Sequence, residues 1–376
     1  MDQEAIDFIA LGLIKGVGPK NSRRLLEATN SVSDIFEMSE RQLSSIDKLP
    51  SSVVKEIVTS RDALRVEAQR EVEWIDNCGM HVVTYHSASY PSRLRSCEDA
   101  PLVIYTRGDA DFNVSKVISV VGTRRPTPAA RQWCADVLST LSSSYPDLLV
   151  VSGLAYGVDI IAHIAALDCG LKTVGVVAHG MDILYPSQHR DIAKRMVING
   201  GAILSEFRRG TQPEAVNFVS RNRIVAGMAD ATLVVESGEK GGSLITASKA
   251  HEYNRVVLAV PGSPYAPMSI GTNRLIQEHK AELVTSASDI EHILGWDSCT
   301  YAPAHQQGAL FASPDTPLDP MQSAIATALA NGPLSLDELS RAVALPVAAV
   351  SPTLLEMEFL GIIKSLPGNR YSLLKC

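Results

Sequence analysis

Cations and hydroxyl residues recur in this sequence directly after short apolar runs, each time in company with glycine. Residues 117–121 give way to Gly122-Thr123-Arg124-Arg125, and 148–151 to Ser152-Gly153-Leu154-Ala155-Tyr156-Gly157. Residues 173–177 lead into Ala178-His179-Gly180-Met181-Asp182, and 256–260 into Pro261-Gly262-Ser263. After 232–235 comes Glu236-Ser237-Gly238-Glu239-Lys240-Gly241-Gly242-Ser243. Glycine lets backbone approach a ligand closely, and free amides at the start of a helix attract anions. Gly122, Thr123, Arg124, Ser152, Gly153, Lys240, Gly241, Gly242 and Ser243 are therefore candidates for holding phosphate. Such turns need glycine for backbone reasons alone, but that leaves the clustering of cations and hydroxyls unexplained.

Phe218-Val219-Ser220-Arg221-Asn222-Arg223 adds an aromatic ring beside guanidinium groups. That combination suits an unpaired nucleic-acid strand, whose bases stack on the ring while arginine holds phosphate. Phe218, Arg221, Asn222 and Arg223 join the candidate set, with Tyr156 as a second ring. The competing reading is packing, with Phe218 as a staple and the arginines paired with Glu206 or Glu236. No catalytic residue is expected. His163 lies one turn after Asp159 and His179 three residues before Asp182, yet nothing matches a nucleophile–base–acid pattern. No cofactor is expected either. The phosphate-loop pattern is missing, and Gly16-Val17-Gly18 sits between helices rather than after a strand. Cys78, Cys97, Cys134, Cys169, Cys299 and Cys376 are scattered without ligand spacing, which argues for reduced thiols and no metal.

These residues need a scaffold, and the alternation of apolar runs with helical segments supplies one. Between the runs lie helices near 129–141, 158–167, 188–198, 221–228, 244–253 and 273–278. Apolar strands without polar alternation, separated by helices, predict a doubly wound, mainly parallel α/β sheet beginning at 116, covered on both faces. In such a sheet ligands bind beyond the carboxyl ends of the strands. Residues 1–80 read as short helices, with separate segments at 51–59 and around Val72 and Trp74. Within them Gly16-Val17-Gly18-Pro19-Lys20 has the form of a helix-hairpin-helix, with Lys15, Lys20, Arg23 and Arg24 nearby. Residues 81–295 form the core, 296–317 a linker, and 318–376 a winged helix whose third helix carries Glu356 and Glu358 but no Lys or Arg. That composition favours protein contact over groove reading. The net charge of −7 on 376 residues excludes a globally basic binder, so any nucleic-acid site is local. No signal segment is evident, and no apolar run approaches the roughly 20 residues that span a bilayer. A cytoplasmic location without membrane contact is expected.

Eight ordered segments resemble the DNA processing protein A (DprA, Smf) family. They are Val121-Gly122-Thr123-Arg124, Ser152-Gly153-Leu154-Ala155-x-Gly157-Val158-Asp159, Tyr185-Pro186 and Leu204-Ser205-Glu206 in the first half. Then follow Phe218-x-x-Arg221-Asn222-Arg223-Ile224, Gly242-Ser243-Leu244-Ile245-Thr246-Ala247, Val260-Pro261-Gly262 and Gly271-Thr272-Asn273-x-Leu275-Ile276. The resemblance implies a Rossmann-like core between a helical domain and a winged helix. It also implies a recombination mediator that binds incoming single-stranded DNA, protects it and helps load RecA in natural transformation. It further implies a homodimer through the Rossmann-like domain, with a pocket on Arg124, Phe218, Arg221, Arg223 and the Gly241-Gly242-Ser243 turn. Three positions depart from the family pattern: Tyr156 where arginine is usual, Gly241 where serine is usual, and Lys280 where glycine is common. The alternative is a nucleotide-processing enzyme, since the Gly-Gly-Ser turn also resembles that of nucleotide phosphoribohydrolases. Those enzymes use a glutamate soon after the turn, whereas here no acid appears before Glu252.

Overall fold

Side-chain caps mark where the first helices begin. Asp2 accepts hydrogen bonds from the backbone N–H groups of Glu4 and Ala5, opening α1 (Gln3–Leu13). Pro19, in the first helical position after the glycine turn, opens α2 (Pro19–Glu27). Reciprocal capping boxes at Ser31 and Ser39 open α3 (Val32–Glu37) and α4 (Glu40–Ser44). The computed structural model describes residues 2–296, 319–330, 332–366 and 368–374. The chain divides into two units, Met1–Tyr253 with Val257–Leu283, and Asn254–Val256 with Val284–Cys376. Apart from Trp296, the linker expected at 296–317 lies outside the described residues.

The two helices expected around 51–77 are one, α5 (Ser51–Asn77). The polar stretch at its middle, which reads as a break, is turned toward its neighbours. Arg61 donates to the carbonyls of Phe36 and Met38 at 2.7 and 2.9 Å, and Arg65 bonds Asp7 at 2.8 Å and Glu37 at 3.0 Å. Asp7 is fully buried and also accepts from Ser33, so the guanidinium of Arg65 compensates a charge that burial alone would penalise. The helical segment buries Phe8, Leu11, Phe36 and Ile57 in a core that includes Val103 and Tyr105 of the neighbouring sheet.

That sheet begins with β1 (His81–Thr84), followed by α6 (Ser92–Arg95) and β2 (Val103–Gly108). Strand β3 (Val117–Val121), helix α7 (Pro128–Ser144), β4 (Leu149–Ser152), α8 (Val158–Asp168), β5 (Lys172–Val176), α9 (Arg190–Ile198) and β6 (Ala202–Ser205) then alternate. Next come α10 (Ala215–Gly227), β7 (Ala231–Val234), α11 (Gly242–Glu252), β8 (Val256–Ala259), α12 (Ile270–Gln277) and β9 (Glu282–Leu283). The spatial order is β1-β2-β6-β5-β4-β3-β7-β8-β9. From β6 through β3 to β7 the neighbours are parallel, as every residue of β3, β4 and β7 being buried requires. The edge differs: β1 and β2 join antiparallel. From β3 the chain winds outward through β4, and it later resumes on the other side at β7. The switch point therefore lies between the carboxyl ends of β3 and β7, where such folds bind ligands. No single helix among the described residues is long and apolar enough to cross a membrane.

The second unit holds α13 (Ala287–Leu294) and the C-terminal fold of α14 (Pro320–Leu329), β10 (Leu334–Ser335), α15 (Leu336–Ala342), α16 (Val347–Phe359), β11 (Ile363–Leu366) and β12 (Arg370–Leu373). Three helices on a small sheet of order β10-β12-β11 make a winged helix around Ile325, Leu339, Leu354 and Met357. Its third helix, α16, leaves Leu355 and Phe359 in solvent, with Phe359 78% exposed.

Candidate functional site

The turns after β3, β4 and β7 enclose a cavity of about 580 Å³ together with one face of α10 and the start of α11. Gly122, Thr123, Arg124, Gly153, Tyr156, Phe218, Arg221, Asn222, Lys240, Gly241, Gly242 and Ser243 all line it. The turns after β3 and β4 lock together: Val158 donates its N–H to the Thr123 carbonyl at 3.1 Å. Between them Gly157 has φ +85°, and a Cβ there would sit 2.2 Å from the Thr123 oxygen. Only glycine fits that crossing.

Three rings stand at the mouth. Arg124 lies over the Phe218 ring, 5.8 Å from its centroid, and Tyr185 lies 5.9 Å from Phe218. Tyr156 is 39% exposed and Tyr185 44%, so both offer faces to a ligand. Tyr156 is held by its hydroxyl on Gln188 (2.8 Å) and by edge contact with His189. Tyr185 is held through His179, whose Nε2 accepts the Tyr185 N–H at 3.1 Å while Nδ1 donates to the Gly180 carbonyl. Burial lowers the pKa of His179, which keeps this neutral tautomer in place. Arg124 and Lys240 are both exposed, and neither forms an ion pair among the described residues. Opposite them α11 starts at Gly242 with no side-chain cap, leaving its first amides and the positive end of its dipole toward the cavity.

Arg221 lies deeper, 3% exposed, with Nη1 donating to the carbonyls of Gly153 and Val176. Burial lowers its pKa to about 10, opposed by Asp159, so it remains a cation at neutral pH. Asp159, in the first turn of α8, also lines the cavity, and burial raises its pKa against the pull of Arg221.

Two expected site residues lie elsewhere. Ser152 is fully buried and donates to the Val120 carbonyl at 2.6 Å, tying β4 to β3. Arg223 sits about 140° around α10 from Phe218 at 3.6 residues per turn, and so faces away. It donates to the Asp99 carbonyl at 2.6 Å and pairs with Glu206. The expected start of this helix at 221 is corrected to Ala215, and that start sets its phase. Glu236 pairs with no arginine among the described residues; it accepts from the N–H and hydroxyl of Thr127 at 2.9 and 2.7 Å. His163 is buried against Thr173 at 2.7 Å, and burial lowers its pKa to about 3, which suits packing rather than proton transfer. At the N-terminal hairpin, Arg23 and Arg24 donate to the carbonyls of Cys97 and Lys48, and the neighbouring cavity is lined by Lys20 and Lys249 together with Glu98, Asp99 and Glu252. Lys249 is paired with Glu252 at 2.7 Å, so Lys20 faces the carboxylates of Glu98 and Asp99, which compete with a phosphate for it.

The family model for DNA recombination-mediator protein A matches residues 81–295, and that of the DprA winged helix domain matches 310–369. The chain belongs to the DNA recombination-mediator protein A family. Protein Smf of Synechocystis is 30% identical over 98% of this chain and 99% of its own length. DNA processing protein DprA of Streptococcus pneumoniae is 38% identical over 54% of this chain and 70% of its own. The X-ray structure of the Streptococcus pneumoniae protein superposes with a TM-score of 0.63 at 29% identity, covering 75% of this chain and 95% of that one. A structure of DNA processing protein A from Helicobacter pylori, concerned with its single-stranded DNA binding mode, gives 0.52 at 26% identity, covering 58% and 96%.

Within this DprA frame, the cavity holds residues that the turn motifs did not single out: Asp159, Val219 and Met268 in its lining, and Tyr185 at its mouth. Tyr185-Pro186 was visible as a motif, but nothing in its spacing announced a ring beside Phe218. Asp159 was visible as the end of the motif after β4 and as a neighbour of His163, yet neither placed it in the site; His163 turns toward β5 and Asp159 toward the cavity.

Proposed function

We propose that this protein binds single-stranded DNA at the carboxyl edge of its sheet and performs no chemistry on it. The observation that carries this reading is the pairing of unneutralised cations with exposed rings around one uncapped helix start. Arg124 and Lys240 with the first amides of α11 suit phosphate, and Phe218, Tyr156 and Tyr185 suit bases that duplex DNA would keep stacked inside. Gly122, Thr123, Gly153, Asn222, Gly241, Gly242 and Ser243 shape the cavity. Membership of a recombination-mediator family and the single-stranded DNA binding of the Helicobacter pylori relative support the same reading. A catalytic role has less support, because Lys249 and Glu252 on α11 pair with each other at 2.7 Å near its far end. The wider role inferred is protection of incoming DNA and delivery to RecA in natural transformation, by a cytoplasmic homodimer joined through the Rossmann-like domain.

Fluorescence anisotropy with labelled single- and double-stranded oligonucleotides across a salt series tests the binding. Preference for single strands that disappears when Arg124 and Phe218 are both replaced by alanine is expected. Equal binding of duplex, or binding that survives both replacements, places the site elsewhere. Pull-down of purified RecA and sedimentation of the free protein test the partner and the dimer.

A further inference from the structure

The floor of the cavity carries hydrogen-bonding capacity that the protein itself leaves open. Among the described residues the buried Nε of Arg221 has no acceptor, and only its Nη1 is bonded. Asp159 accepts from the Ala155 N–H at a long 3.4 Å. A carboxylate has about four lone-pair sites, so acceptor capacity remains. Both groups converge at Gly153, where an added Cβ would lie 2.5 Å from Asp159 Oδ2 and 2.5 and 2.6 Å from the Arg221 Nη1 and Nη2 nitrogens. Buried polar groups are ordinarily satisfied, so an acceptor beside free donors on a cavity floor awaits a ligand with the opposite pattern.

We propose, resting on the single-stranded DNA reading above, that this floor reads a guanine base inserted edge-first between the rings at the mouth. Phosphate fits poorly there, because it has no donor and Asp159 repels it; the rim cations and the α11 amides suit it better. Among the bases, guanine alone sets two donors side by side, N1–H and the N2 amino group, next to the acceptor O6. The carboxylate takes the two donors and Arg221 the carbonyl. Adenine and cytosine present one amino group beside a bare ring nitrogen, and the single N–H of thymine is flanked by carbonyls that face the carboxylate. The Watson–Crick edge is free only in an unpaired strand, which gives single-strand preference a second cause. The position of Asp159 in the first turn of α8 accounts for tolerating a charge there, but not for its open acceptor capacity on the floor.

The test compares a twelve-residue oligothymidylate with the same strand carrying one central guanine or one central inosine, which lacks the N2 amino group. Anisotropy is measured on the full chain and on Asp159→Asn. A good bidentate pair discriminates by enough for the guanine strand to bind about tenfold tighter than oligothymidylate. Inosine should lose most of that advantage, and Asp159→Asn should bring the guanine-to-thymine ratio close to one. Equal affinity for the three strands in the wild type overturns the inference while leaving single-strand binding intact, and needs no variant to fold. A guanine advantage that persists in a folded Asp159→Asn overturns it too. Absence of binding to any strand overturns the function itself.

Discussion

Arg223 and Arg124 should behave in opposite ways when removed. Arg223 pairs with Glu206 on the face of α10 turned from the cavity, and each side chain keeps only 13% of its surface. Arg223→Ala leaves that carboxylate with Ser220 Oγ at 3.4 Å as its remaining side-chain donor among the described residues. Breaking a buried pair costs about 3–5 kcal/mol, and the residual exposure places this one near about 3 kcal/mol. In a domain of this size that lowers Tm by roughly 6–12 °C. Burial already raises the pKa of Glu206, and Arg223 is what holds it down. Without Arg223 the folded-state pKa rises further. The deficit is therefore small at acid pH, where Glu206 is protonated in both states, and grows as pH rises through its folded pKa. Thermal unfolding from pH 4.5 to 8 reads this directly, and adding Glu206→Gln should restore part of the loss by removing the stranded charge. Single-strand affinity of the folded Arg223→Ala protein should stay within about twofold of wild type, since no phosphate contact is lost. If Arg223→Ala keeps its Tm and loses affinity tenfold, the helix faces the other way and the assignment of this motif is wrong.

Arg124→Ala should keep the Tm yet weaken single-strand binding about 10- to 100-fold, one charge-assisted contact, and reduce the salt slope by about 0.7; an unchanged slope removes Arg124 from the site. His163, with its pKa lowered to about 3, stays neutral in the fold while the unfolded chain takes up a proton below about 6.5. Its contribution is present above that pH and lost as pH falls, by about 1.4 kcal/mol per unit or about 2.7 kcal/mol at pH 4.5. His163→Gln should flatten that part of the urea-denaturation profile, and parallel profiles would contradict it. Gly157→Ala forces φ +85° on a residue with a Cβ 2.2 Å from the Thr123 oxygen. It should destabilise by about 1–3 kcal/mol or more; an unchanged Tm would mean that the two turns do not cross as closely as described.

Strand positions were legible because a parallel strand covered on both faces has nothing polar to interrupt it, and 117–121 is buried throughout. The carboxyl-edge turns followed, since topology alone assigns them to ligands. Helix phase was less legible. α10 has Glu214 at its N-cap without a side-chain hydrogen bond, so no capping signature announced the start at Ala215. With the helix read from 221, Phe218 stood outside it and could not tell the two arginines apart; with the start at Ala215, Arg221 lies about 60° around the helix from Phe218 and Arg223 about 140° at 3.6 residues per turn. In α5 the sequence suggests separate segments at 51–59 and around Val72 and Trp74, because the carbonyls that accept from Arg61 between them lie more than twenty residues away in sequence.

Asp159 owes its place in the site to contacts that its own helix does not reveal. At i, i+4 on α8, Asp159 and His163 invite pairing, and a helix alone would put them on one side. The fold separates them by giving each a different neighbour: Thr173 on β5 takes His163, while Gly153, having no side chain, opens the space in which Asp159 meets Arg221. That space depends on two segments far apart in sequence, the turn from Gly153 to Asp159 and the helix that carries Arg221, and its chemistry depends on what each leaves unbonded. Residue types state which donors and acceptors a chain has. Only the satisfied bonds of the folded chain show which are left for a ligand, and here the remainder is one carboxylate and one guanidinium on the floor of the cavity.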